Sequence, residues 1–257
     1  MISAQQQATL RGSNCEIAFD NLTRQLYATD ASIYQLEPVG VAFPRNVRQA
    51  GALIDAAVQT GIPVIPRGAG TGLVGGAIGE GLVIDFSRYN RQITDLDLER
   101  RTVRVESGVV LDQLNKFLRP HGFCFGPDVA TSARATVGGM IANNSSGAHT
   151  PVYGTTADHV RELEIVMGDG RVLAVGPKHD TLRKQRELVA DLVYFHALEI
   201  AERLPGGLLK RRPGYGLARC ASAGPGTAWP DARGSRTIST TCFAGARALW
   251  RPSPRQS

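Results

Sequence analysis

The strongest chemical signal in the chain is one run, Pro66-Arg67-Gly68-Ala69-Gly70-Thr71-Gly72-Leu73-Val74-Gly75-Gly76, placed directly after an apolar segment that reads as a buried strand. Glycine opens backbone dihedrals closed to other residues and lets main-chain N–H groups come close to a ligand, so such a run can form a concavity for an anion. A diphosphate fits that chemistry. The run is not a Rossmann fingerprint, because it leads into another strand and no acidic residue is expected at a strand end about 20 residues later. It is not a P-loop either, since no Gly-Lys-Ser/Thr follows. Standing alone, it fits a purely structural turn as well as a phosphate cradle.

A second constellation lies downstream: Gly126-Pro127-Asp128, then Ala135-Thr136-Val137-Gly138-Gly139-Met140-Ile141-Ala142-Asn143-Asn144-Ser145-Ser146-Gly147, then Tyr153-Gly154. Paired glycines entering a helix can bring N–H groups against a flat heteroaromatic ring, with small residues leaving room for it. Gly138-Gly139 taken alone reads better as a tightly packed helix start. The histidines His121, His149, His159, His179 and His196 show no metal-ligand spacing, and each fits a surface or satisfied-core role better than catalysis. His159, beside the second block, is the one to follow. Cys15, Cys124, Cys220 and Cys242 form no C-x-x-C pair, so no metal or iron–sulfur site is expected.

These loops need elements to hold them. Pro44 and Asn46 precede a periodic segment, Val47 to Thr60, with Val47, Ala50, Leu53, Ile54 and Ala57 on one helical face and Gly61 as its stop. Short strands are expected at Ile62 to Ile65 and Leu82 to Phe86, on either side of the first glycine loop. Gln92 to Val110 alternates as a hairpin with a turn at Glu99 to Arg101, and Leu111 to Pro120 and Thr136 to Asn143 read as helices. Leu163 to Met167 and Val172 to Val175, joined by Gly168-Asp169-Gly170, form the clearest hairpin in the chain.

Charge is unevenly spread. Residues 203–257 hold ten of the 29 basic and one of the 23 acidic residues, so the +6 net charge belongs to the tail and the body is slightly acidic. A basic nucleic-acid-binding face on the folded body is therefore not supported. After about Gly216 periodicity disappears and Ala, Arg, Gly, Ser and Pro dominate, a composition poor at burying a core. A disordered basic extension is the ordinary account of that tail; loss of the reading frame near its start is the sharper one. The polar N-terminus lacks the apolar centre of a signal peptide and no apolar stretch approaches the roughly 20 residues of a membrane span, so a cytoplasmic protein is expected.

Together the two glycine blocks resemble the FAD-binding fold of the vanillyl-alcohol oxidase and p-cresol methylhydroxylase (PCMH) type, on its glycolate oxidase and D-lactate dehydrogenase branch. The resemblance begins near Tyr27-Ala28-Thr29-Asp30-Ala31-Ser32-Ile33-Tyr34 with Pro38 and Pro44. It runs through both blocks to Asp158-His159-Val160 and Glu164-Ile165-Val166-Met167-Gly168-Asp169-Gly170, and fades after Tyr215. It implies an α+β, two-lobed fold: a helical lead-in at 1–37, an FAD domain at 38–216 with lobes 38–110 and 111–216, and an irregular tail at 217–257. It implies that Pro66, Arg67, Gly68, Ala69, Gly70, Thr71, Gly72 and Leu73 hold the diphosphate. By the same analogy Pro127, Asp128, Thr136, Gly138, Gly139, Ala142, Asn143, Ser146, Gly147, Tyr153 and Gly154 border the flavin and its ribityl side, and the backbone near Ile165 meets the adenine end. Relatives that tether flavin covalently commonly place a histidine in the first loop; none stands here, so noncovalent FAD is expected.

In the complete family enzyme a 2-hydroxy acid is oxidised to a 2-oxo acid, and electrons leave to an acceptor other than oxygen. The family's substrate cap lies downstream of the FAD domain, and this chain is expected to lack most of it, so no catalytic residue is named. Two alternatives stand beside an FAD-binding portion of such an oxidoreductase. One is an FAD-binding subunit completed by another polypeptide, a cap or iron–sulfur partner that could also bring it to the inner membrane. The other is a non-catalytic protein whose basic tail binds nucleic acid.

Overall fold

The computed structural model describes residues 2–203, strand 247–250 and the pair 253–254. In chain order the elements are α1 (Ala4–Arg11), β1 (Glu16–Ala18), α2 (Asn21–Leu26), β2 (Gly40–Phe43), α3 (Val47–Gln59), β3 (Val64–Arg67), β4 (Leu82–Asp85), β5 (Ile93–Asp97), β6 (Thr102–Glu106) and α4 (Leu111–Leu118). They continue with β7 (Phe123–Cys124), α5 (Val137–Ala142), α6 (Thr150–Tyr153), α7 (Thr156–His159), β8 (Val160–Val166), β9 (Val172–Val175), α8 (Arg183–Phe195), α9 (Ala197–Arg203), β10 (Arg247–Trp250) and β11 (Ser253–Pro254).

The first lobe is a four-stranded sheet in the order β1-β2-β4-β3, with β2, β4 and β3 parallel and β1 antiparallel at one edge. α3 supplies the crossover from β2 to β3. The Asn46 side chain caps it by accepting from the Gln49 N–H, and Gly61, at φ 67°, turns the chain away after it. Ala50, Leu53, Ile54 and Ala57 bury its inner face against Leu82 and Ile84 of the central strand. Leu10 and Cys15 join that core, so the N-terminal stretch is not only a helical lead-in: β1 is a working strand of the first sheet.

The second lobe is a five-stranded antiparallel sheet in the order β5-β6-β10-β8-β9, with α4 and α5 packed on it through Leu111, Leu114, Leu118, Val137 and Met140. The boundary between lobes therefore falls between β4 and β5, not near residue 110, because the β5–β6 hairpin pairs with the second sheet. The β8–β9 hairpin stands where the sequence put it.

Residues 204–246 lie outside the described residues, but β10 occupies the middle of the second sheet and β11 pairs with β7, where irregular chain was expected. The physical reason is non-local: β6 and β8 each present an unpaired edge, and a strand between them satisfies both sets of N–H and C=O groups. None of the described helices is long and apolar enough to cross a membrane.

Candidate functional site

The first glycine loop leaves β3, which is a half-buried edge strand rather than a buried one and starts two residues later than the apolar run suggested. Edge placement is what lets Pro66 sit within it. Arg67, the last residue of β3, folds back beneath the loop. Its Nη1 donates to the carbonyls of Tyr27 at 3.4 Å and Ala77 at 3.1 Å, its Nη2 donates to that of Thr29 at 2.8 Å, and the guanidinium lies 5.1 Å from the Tyr27 ring centroid. The Ala31 N–H donates to the Gly70 carbonyl at 2.9 Å. The segment from Tyr27 to Ala31 is thus the floor on which the loop is built.

β4 does end on an acid, Asp85, contrary to expectation. Its carboxylate is buried and engaged, accepting from the Tyr27 hydroxyl at 2.5 Å and the Ser87 N–H at 2.6 Å. Burial, reinforced by the Asp85 carboxylate, pushes the Tyr27 hydroxyl far above its ordinary pKa, so it stays a donor. Asp85 is a support for Tyr27 and does not border the cleft.

The second block packs directly onto this loop. The Val137 N–H donates to the Val109 carbonyl and the Gly138 N–H to the Ser107 carbonyl, both at 2.8 Å, which pins the start of α5 over the end of β6. A Cβ on Gly138 would stand 2.7 Å from the Ser107 Cβ, and one on Gly68 would overlap the Thr136 hydroxyl. Gly68 is therefore explained by close packing between the two blocks, and Gly138 by close packing on the end of β6. Gly72 and Gly76 are not, since a Cβ on either would meet open space.

Between the blocks lies a cleft of about 630 Å³, within the usual range for small-molecule and cofactor sites. All of residues 66–73 line it, as do Thr136, Gly138, Gly139, Ala142 and Asn143. No acidic residue lines it and Arg67 is its one charged neighbour among the described residues. The remaining expected residues do not line it. Pro127, Asp128, Ser146, Gly147, Tyr153 and Gly154 form the adjoining shoulder, where Gly147 packs against the Asp128 backbone and His149 Nδ1 lies 3.4 Å from Asp128 Oδ2. His159 sits there too, its Nε2 2.8 Å from the Tyr153 carbonyl and its ring on Phe125, a supporting role. Ile165 is buried in the second lobe's core, paired with Leu173 across the hairpin, and is not part of the cleft wall.

Sequence reasoning missed several lining residues: Phe86, Ser107, Val129 and Thr131. Ser107 and Thr136 are 2% and 3% exposed, and their hydroxyl oxygens have no hydrogen-bond partner among the described residues. An unsatisfied buried hydroxyl costs roughly 1–3 kcal/mol, so two at one cleft are unusual. Thr136 is moreover the N-cap residue of α5 yet makes no capping bond. A glycine-walled, acid-free cleft with two idle hydroxyls suits a phosphorylated heteroaromatic cofactor. Among the described residues no cluster of His, Cys, Asp and Glu could hold a metal ion.

Comparison with known proteins gives the same picture. The FAD binding domain family matches residues 38–176. A D-2-hydroxyglutarate dehydrogenase of Pantoea ananatis is 42% identical over 170 residues, covering 65% of this chain and 17% of its own length. The glycolate oxidase subunit GlcD of Bacillus subtilis is 34% identical over 161 residues, covering 62% of this chain and 34% of its own. Among solved structures, a BBE-like 1 variant of Physcomitrella patens superposes with a TM-score of 0.66 at 16% identity, covering 98% of this chain and 45% of that one. An alkyldihydroxyacetonephosphate synthase gives 0.61 at 21%, covering 70% and 37%. These two establish the fold, the two-lobed α+β architecture that the sequence resemblance implied.

Proposed function

The chain belongs to the FAD binding domain family, and on that basis we propose that it is the cofactor-holding portion of a flavin-dependent oxidoreductase acting on a 2-hydroxy acid. The observation that carries this reading is the meeting of the two glycine blocks as walls of one acid-free cleft. In the proposal residues 68–73 cradle the diphosphate, and Thr136, Gly138, Gly139, Ala142 and Asn143 border the ring system. Bound FAD supplies the two-electron acceptor, and the protein supplies orientation and electrostatics. Arg67 acts by keeping the loop in shape, since its donors already go to backbone carbonyls. No histidine stands in the loop, which supports noncovalent attachment.

The chain spans 17% of the length of the first relative and 34% of the glycolate oxidase subunit. Substrate carboxylate binding and proton removal are assigned to a cap from further sequence or a second polypeptide. Exposed apolar side chains at the loop rim, Ile33, Leu73 and Val74, support a covering partner. The relatives named for D-2-hydroxyglutarate, glycolate and D-lactate put the substrate in the class of small 2-hydroxy acids.

The test is the visible absorption spectrum of the purified chain, followed by denaturation and identification of what is released. A flavin band released as FAD is expected. Folded, colourless protein that takes up no added FAD would overturn the reading.

A further inference from the structure

We infer that Ser107, a residue no motif singles out, contacts the bound cofactor directly through its hydroxyl, with Thr136 as a second contact on the same floor of the cleft. The inference rests on the FAD-binding reading above and adds to it a named hydrogen-bonding floor.

Ser107 follows β6 and Thr136 precedes α5, so two different elements of the second lobe deliver hydroxyls to one cleft. Both residues are more than nine-tenths buried, and neither hydroxyl has a partner among the described residues.

Packing then shows what holds them there. The Ser107 carbonyl accepts from the Gly138 N–H at 2.8 Å, and Gly138 has no Cβ to push Ser107 away. Gly68 likewise leaves room for the Thr136 hydroxyl beside the first glycine loop. Two glycines, one in each block, thus make room for Ser107 and for the Thr136 hydroxyl, and neither hydroxyl has a partner among the described residues. A ligand carrying several polar atoms, as a flavin and its diphosphate do, satisfies them on binding; a hydroxyl serves as donor or acceptor, so either kind of ligand atom fits.

A hydroxyl idle in the free protein and engaged in the complex has an unusual signature. Removing it relieves the free protein of an unsatisfied group and deprives the complex of a hydrogen bond, so the two stabilities move in opposite directions. A hydroxyl with a structural role lowers both.

The experiment uses the full chain stripped of flavin and titrated with FAD, as wild type, Ser107→Ala, Thr136→Val and Thr136→Ser, with thermal melting of each flavin-free protein alongside. Ser107→Ala and Thr136→Val are expected to raise the Kd for FAD roughly three- to tenfold each while leaving the flavin-free melting temperature unchanged or higher; Thr136→Ser is expected to retain near wild-type affinity. Wild type that binds FAD, with Ser107→Ala binding equally well, overturns this inference and leaves the FAD-binding reading intact. A flavin-free Ser107→Ala protein that melts well below wild type overturns it in favour of a structural hydroxyl. Wild type that takes up no FAD overturns both.

Discussion

Gly51 of α3 and Gly170 of the β8–β9 turn lie backbone to backbone. A Cβ on Gly51 would stand 2.5 Å from the Gly170 carbonyl oxygen, and one on Gly170 would stand 2.7 Å from the Gly51 carbonyl oxygen. This contact ties the second lobe's hairpin to the first lobe's main helix, and Val166, at the end of β8, completes the same joint by entering the first lobe's core. The cleft lies between two lobes that this joint holds in register.

Gly51→Ala therefore distinguishes local from tertiary control. Inside an ordinary helix the change stabilises by roughly 0.5–1 kcal/mol. Here the added methyl meets backbone that cannot swing aside, and a net loss of about 1–3 kcal/mol is expected, read by urea denaturation. A stabilised variant would show that the joint is not tight.

Arg67→Lys should fail where a merely cationic role would tolerate it. A lysine ammonium cannot span the carbonyls of Tyr27, Thr29 and Ala77 with the fork that Arg67 uses. The expected outcome is a folded protein with FAD affinity lowered about tenfold or more, corresponding to one or two hydrogen bonds of loop order, and faster proteolysis within residues 68–76. Unchanged affinity in the lysine variant would return Arg67 to a simple charge.

Stopping the chain after Tyr215 removes β10 and β11 and leaves β6 and β8 with open edges. The shortened protein is expected to melt several degrees lower, on the scale of about 1 kcal/mol or more for a domain of this size, and to aggregate through those edges. A synthetic peptide covering 244–257 should restore part of the loss. Identical melting with and without the tail would mean that the second sheet does not need its central strand.

Burial pushes the Cys15 thiol up from 9.0 to about 11. Between those two pH values the unfolded chain releases this proton while the folded chain keeps it, so stability contributed by the neutral thiol is whole below pH 9 and declines as pH rises toward 11. Cys15→Ala should flatten that decline in denaturation midpoints measured across the alkaline range. A slope identical to wild type would place the titrating group elsewhere.

Much of this arrangement was legible in the sequence because it is set locally. The 3.6-residue pattern of α3, its Asn46 cap and its Gly61 stop are read within one window, as is the turn at Gly168-Asp169-Gly170. The glycine blocks announced their cleft because loops that approach a ligand or each other must be built from such residues. What was not legible depends on pairing between distant segments. β1 joins a sheet 22 residues further on, from Ala18 to Gly40, and nothing in its three residues says so. Ser107 carries no motif and becomes interesting only when α5 is laid over the end of β6. The strand at Arg247 was hidden by averaging over a tail whose composition is poor in core residues, although a strand of four residues needs little more than two waiting edges.

The place of β10 also orders the birth of the protein. Glu106 waits for Arg247 as a partner, so on the ribosome the first lobe and the two outer hairpins of the second sheet emerge long before the strand that joins them. The parallel sheet around α3 can close before β10 has been made, whereas the antiparallel sheet closes only after it. Long-range pairing of that kind is slow, and in the interval the cleft has one finished wall and one unfinished one, so cofactor capture should follow the emergence and docking of β10.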